Sequence, residues 1–175
     1  SIFLINGNLD SYNLNYENEK RFVIEKHKDE LMNRSEGKNS LINLNNALSQ
    51  GGFYLEVESN YKFNKPLIIY NYFSKNLKNI ILNNKNSIKL NSDSEINIIE
   101  FNIGKSEDNF IYNNYTNIVI EENASLKNYT IQGCKSKGFY YKFVKCSLNK
   151  KSDYEDYIFS SGLKFNKIEE DIDIK

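Results

Sequence analysis

Across the second two thirds of the chain, apolar residues recur at every second position in short runs separated by polar corners. Strict alternation over four to ten residues is the signature of a strand with one buried face. The runs fall at Phe53–Val57, Leu67–Phe73, Asn79–Leu82, Ser87–Leu90, Glu95–Phe101, Tyr115–Ile120, Ser125–Gln132, Phe139–Leu148, Tyr154–Phe159 and Leu163–Ile174. The segment from Asn117 to Gln132 shows the unit most clearly. A β-branched strand ends at Ile120, Glu121 to Ala124 form a corner without Gly or Pro, and alternation resumes with Leu126, Asn128 and Thr130 on one parity. Ile118, Ile120 and Leu126 are expected to face a common interior, with Ile131 joining them after a local bend.

The connectors carry few of the Asn-Gly or Asp-Gly pairs that tight hairpins favour. Repeated short strands, each unable to bury its own face, therefore point to a coil of stacked rungs rather than an antiparallel meander. Pro66 stands at the start of a strand, where a missing N–H costs least. The chain stops inside the alternating pattern EEDIDIK, and the expectation is a fragment of something longer.

The first fifty residues read differently. Ser1–Gly7 is a strand ending in a turn, Leu9–Tyr16 a polar loop, and Arg21–Arg34 a strand followed by a short helical turn. Ser40 can cap a helix on which Leu41, Leu44, Ala47 and Leu48 share a face, with Gly51-Gly52 ending it. The organisation expected is an N-terminal segment, 1–50, leading into a core, 51–175.

Composition narrows function more than fold. With 23 basic and 23 acidic side chains in 175 residues, the chain lacks the basic excess of a nucleic-acid or anionic-membrane partner. No apolar run approaches the ~20 residues of a bilayer span, and SIFLINGN does not resemble a secretory signal, so the cytoplasm is the expected compartment. Asparagine, lysine and isoleucine crowd every segment, which discounts asparagine as a functional signal.

Candidate chemistry is sparse. His27, the single histidine, lies in the charged run EKHKDE and reads as a surface residue. Cys146 alternates with Val144 and Leu148 and reads as a small buried hydrophobe, while Cys134, beside Lys135 and Lys137, is a candidate thiol of lowered pKa. Glu169, Glu170, Asp171 and Asp173 could imitate paired carboxylates. Alternation instead puts Glu170 with Ile168, Ile172 and Ile174, and leaves the other three on a solvated face. Phosphate-binding loops and nucleophile elbows are not visible, so the expectation is no catalytic residue, no metal ligand set and no cofactor bound by this chain.

Several segments, in order, resemble the SufB/SufD family of iron-sulfur cluster assembly scaffolds. They are IFLING, SLINLNNAL running into GGFYLEVE, KPLIIYNYF, NSIKLNSDSEINIIEFNIG, NFIYNNYTNIVIEENASLKNYTIQ and DYEDYIFSSGLKFNKIEEDI. Within the family the SufD branch is the nearer. SufB proteins carry a tryptophan soon after the Tyr-x-x-Gln rung and a Trp-Lys-Tyr-Pro-like stretch, where this chain has SGLKFNKIEED and no tryptophan. The resemblance implies an all-β, right-handed parallel β-helix with a small α/β N-terminal segment. It further implies a non-catalytic scaffold that works with SufB-like and SufC-like subunits, the latter an ATPase, and assists iron supply. The family's functional histidine would lie beyond Lys175, so no functional residue carries over. Two rival readings remain: a β-helix carbohydrate-active enzyme, which would need an acidic or basic cluster on one exposed sheet, and an adhesive solenoid, which would need a stricter repeat.

Overall fold

The computed structural model describes residues 1–27, 39–49, 51–104, 106–133 and 137–175. Two six-stranded sheets face each other, and the chain passes from one to the other at each corner. The strands are β1 (Ile2–Ile5), β2 (Asn8–Tyr12), β3 (Phe22–Lys26), β4 (Phe53–Val57), β5 (Leu67–Phe73), β6 (Ile81–Leu90), β7 (Glu95–Gly104), β8 (Ile111–Ile120), β9 (Ser125–Gly133), β10 (Phe139–Leu148), β11 (Asp153–Ser161) and β12 (Phe165–Ile174). One sheet runs β11-β9-β7-β5-β1-β2 and the other β12-β10-β8-β6-β4-β3. From β4 to β12 every pairing within a sheet is parallel, so successive strands form the rungs of a right-handed parallel β-helix of about 4 turns. Tyr115–Ile120 and Ser125–Gln132 lie in opposite sheets and form no hairpin.

The corners explain the register. Residues 58–61, 91–94, 121–124 and 149–152 each close a turn in which the fourth residue's N–H donates to the first residue's carbonyl, at 3.0–3.3 Å. In every one the third residue is left-handed: Asn60 (φ 61°), Asp93 (φ 61°), Asn123 (φ 58°) and Lys151 (φ 56°). Asn and Asp tolerate that region better than other residues with a side chain, so three of the four corners carry a fitting residue. The corners also stack, since Asn60 N donates to Ser92 O, Asp93 N to Glu122 O and Asn123 N to Lys150 O.

Near these corners the interior is apolar. Ile88, Leu90, Ile96, Ile118, Ile120, Leu126 and Cys146 belong to one buried cluster with Val57, Leu55 and Leu67. Ile118, Ile120 and Leu126 are 3%, 0% and 0% exposed, as the alternation requires. Ile131 does not join them. No bend intervenes, so parity holds through β9 and places Gln132, 1% exposed, inside, with Ile131 on the outer face.

Other departures have local causes. Residues 81–82 and 87–90 belong to one strand, β6, while Asn79, left-handed (φ 54°), precedes it; Asn83 to Ser87, too polar to read as a strand, are sheltered between the coil interior and the helix that crosses its outside. The loop expected at Leu9–Tyr16 begins as β2, which returns antiparallel along β1. β3 likewise lies antiparallel on β4, so both sheets end in an antiparallel strand on this side. The helix α1 (Ser40–Leu48) is capped by Asn39, whose side chain accepts from Leu41 N, and not by Ser40.

The helix buries Ile42 and Asn45, while Leu41 and Leu48 are 36% and 54% exposed. Its docking is polar: Asn45 Nδ2 donates to the carbonyls of Asn84 (3.0 Å) and Asn113 (2.7 Å), and Asn113 Nδ2 returns a bond to Leu41 O (2.8 Å). Gly51 and Gly52 do not terminate it, since Ser49 is already extended. A Cβ on Gly52 would lie 1.6 Å from Lys85 O, so glycine is needed there for close passage against β6. The helical turn expected within Arg21–Arg34 lies outside the described residues beyond His27; before it, β3 is a strand.

Candidate functional site

Away from the stacked corners the coil interior turns polar. Register places Asn71, Asn102, Gln132 and Ser160 in one file across β5, β7, β9 and β11. Asn71 Nδ2 donates to Asn102 Oδ1 at 2.8 Å, and Ser160 Oγ to Gln132 Oε1 at 3.2 Å. On the opposite sheet Tyr112 and Tyr140, each 1% exposed, occupy one file with their rings 5.2 Å apart. Burial drives both phenols well above the ordinary tyrosine value, and the negative charge of Glu100 acts in the same direction on each.

One layer nearer the corners lies a buried ion pair. Lys142 Nζ sits 3.0 Å from Glu100 Oε2, with side-chain exposures of 6% and 14%. The ammonium also donates to Thr130 Oγ1 at 3.4 Å, and Glu100 Oε1 accepts from Asn102 Nδ2 at 3.0 Å. Burial alone would drive the lysine toward its neutral form. The charges of Glu100 and Asp156 outweigh it, and the group titrates above the ordinary lysine value.

Asp156 extends the cluster toward the last rung. Its carboxylate accepts from Asn128 Nδ2 at 2.9 Å and from Tyr154 Oη at 3.3 Å. Glu170, on the same side of β12 as Ile168, is pushed up to about 7 by burial first, then by its hydrogen bond and repulsion with Asp156, against the opposing charge of Lys142. Near neutrality Glu170 is therefore protonated in a substantial fraction of molecules.

The residues singled out from sequence fare unequally. Cys146 is fully buried in the apolar cluster, and burial pushes its thiol up to about 12, which suits a packing residue and not a nucleophile. Cys134 lies outside the described residues. His27 is half-buried instead of on the surface, its amide donating to Gly52 O at 3.2 Å where the chain follows β4. Glu169 lies on the outer face, accepting from Tyr141 Oη (2.5 Å) and from Asn39 Nδ2 (3.2 Å), so it anchors the start of α1. Asp171 and Asp173 are exposed. Among the described residues no group of three or more His, Cys, Asp or Glu side chains is arranged to hold a metal ion, and no helix is long and apolar enough to cross a membrane.

Glu100, Lys142 and Asp156 were not singled out from the sequence, although the signal was present. Glu100 shares parity with Ile96 and Ile98, and Lys142 with Val144 and Cys146, so alternation alone directs both charges inward.

A right-handed parallel coil of short rungs, with left-handed Asn, Asp or Lys at its corners and charged groups in its interior, defines a parallel β-helix domain. The chain belongs to the family described as SUF system FeS cluster assembly, SufBD core domain, which it matches over residues 72–175. That stretch spans β7 to β12 and β6 with its preceding corner. Comparison with curated proteins found no match. Membership makes the chain a scaffold component of the Suf system, which assembles iron-sulfur clusters, and implies a complex with other Suf subunits.

Proposed function

We propose that the chain is a SufD-like scaffold subunit that works in the cytoplasm with SufB-like and SufC-like partners and assists iron supply to the cluster they assemble. The observation that carries the reading is the agreement between the family's core, residues 72–175, and the stacked rungs that β6 to β12 form among the described residues. Three segments outside or at the edge of that run support the SufD branch. IFLING forms β1 and its turn, SLINLNNAL forms α1, and SGLKFNKIEED leads from β11 into β12. Rigidity is what such a subunit contributes: two sheets locked by parallel ladders and a cross-coil ion pair hold their outer faces in fixed relation.

In this role the chain binds no cofactor of its own and performs no catalysis, the cluster being cargo of the assembled complex. The test is co-expression with SufB and SufC, followed by purification and transfer of the assembled cluster to an apoferredoxin. Stable co-purification, and cluster formation that drops when this chain is left out, are expected. Protein that ignores both partners and cleaves an acidic polysaccharide would overturn the reading in favour of a β-helix enzyme.

A further inference from the structure

Between the ion pair and the apolar cluster the coil interior holds a cavity of about 20 Å³, bordered by Lys142, Glu100, Thr116, Asn128, Asn86 and Tyr154 among apolar neighbours. A site must offer ~10–15 Å³ of such volume and two to four polar partners to hold one water molecule. This one meets both conditions.

The groups around it have hydrogen-bonding capacity left over. Lys142 has three ammonium protons, and its acceptors among the described residues are Glu100 Oε2 and Thr130 Oγ1. Thr116 donates its hydroxyl proton to Asn114 Oδ1 at 2.8 Å, which leaves its oxygen lone pairs for an incoming donor. Asn128 commits its amide group to Thr130 and Asp156, so its carbonyl oxygen is the atom with which it can accept from a bound water. In the next polar layer, Gln132 Nε2 is buried and meets no partner of hydrogen-bonding geometry among the described residues. Buried polar groups of this kind are ordinarily satisfied by ordered water.

We infer that the coil interior binds an ordered water molecule in the cavity beside Lys142, accepting the third ammonium proton and donating to Thr116 Oγ1 or Asn128 Oδ1. The ligand class is fixed by size and chemistry, since the space admits one non-hydrogen atom and its polar wall presents both a donor and acceptors. This inference concerns the internal wiring of the fold and stands whether or not the chain acts as a SufD-like subunit.

The experiment is a high-resolution crystal structure of the whole chain, collected once at ambient pressure and once under xenon. Solvent density within hydrogen-bonding distance of Lys142 Nζ, with no xenon in the cavity, is expected, because a polar hydrated site does not exchange its water for a noble gas. Xenon there, with no solvent density at ambient pressure, would overturn the inference. Lys142→Met should reverse the result and admit xenon. Should that variant not fold, oxygen-17 relaxation dispersion on the unmodified chain reads the same question, and the absence of any long-lived internal water would count against the site.

Discussion

Removing the positive member of the buried pair should reveal how much the polar interior depends on it. Lys142→Met keeps the length and apolar stem of the side chain but leaves the Glu100 carboxylate, 14% exposed, with Asn102 Nδ2 as its donor among the described residues. Breaking a buried pair by deleting one partner costs about 3–5 kcal/mol, because the surviving charge is left uncompensated. Partial exposure of Glu100 places this case near the lower end, about 3 kcal/mol. With a urea slope of about 2 kcal/mol/M, the unfolding midpoint should fall by about 1.5 M, measured by circular dichroism.

The cause is separable from simple loss of packing by two further measurements. In Lys142→Met the cost belongs to an unpaired negative charge, which acid removes, so the deficit relative to the unmodified chain should shrink as the pH is lowered. The double variant Lys142→Met/Glu100→Gln removes both charges and keeps a carbonyl for Asn102, and should recover to within about 1 kcal/mol of the starting stability. A Lys142→Met midpoint within about 0.3 M of the unmodified chain, or a deficit that does not vary with pH, would refute the assignment of a buried ion pair.

Other outcomes follow from the same geometry. Ile120→Ala, at a fully buried position, should cost about 2–5 kcal/mol by the same urea assay. Lys151→Asn should stabilise the chain by about 0.5–1 kcal/mol, since Lys151 is left-handed (φ 56°) at a corner where Asn60 and Asn123 occupy the matching positions. Gly52→Ala should destabilise by at least about 1–3 kcal/mol, its Cβ lying 1.6 Å from Lys85 O, whereas Gly133→Ala, with nothing within 4 Å, should leave the midpoint almost unchanged. Glu170 should titrate near pH 7 by carbon-13 carboxyl NMR, and its contribution to stability should fall as pH rises from about 4.5 through about 7; an ordinary carboxyl titration would refute its placement in a desolvated, negatively charged corner of the coil.

Strand existence and interior parity were legible in the sequence because both rest on alternation, which a coil with one narrow interior enforces at every rung. Strand ends were less so. β7 and β8 extend beyond Phe101 and before Tyr115 through Asn102, Ile103, Asn113 and Asn114, where interior asparagines hydrogen-bond to each other and to α1 and look like loop chemistry in a linear reading. The polar layer is harder to see, because Glu100 and Lys142 stand at inward parity within runs whose other inward positions near the corners are apolar. α1 was located correctly, but its buried face was not, because amide bonds to strand carbonyls dock it and no apolar periodicity encodes them. The repeating corner was recognised once, at Glu121 to Ala124. Its partners at 58–61, 91–94 and 149–152 share a backbone conformation more than a sequence, and the unequal rung lengths conceal the repeat.

A stack of similar parallel strands faces a specific hazard, which is pairing in the wrong register. Shifting one strand by a single residue exchanges its inner and outer faces, whereas a shift of two preserves the apolar parity and is resisted only by particular contacts. The Lys142–Glu100 pair is such a contact: a two-residue slip of β10 against β8 would move the ammonium from the layer that holds Glu100 and Thr130 into the layer of Tyr112 or of Thr116. Each slipped form would bury an unpaired charge at a cost of about 3–5 kcal/mol, which separates it from the native pairing. The neutral double variant Lys142→Met/Glu100→Gln lacks that penalty. It should keep nearly full stability while showing additional, slowly exchanging amide resonances from β8 to β12 in a nitrogen-proton correlation spectrum. A single sharp set of resonances would mean that the corners and aromatic stacking suffice to fix the register, and that the charges serve another purpose.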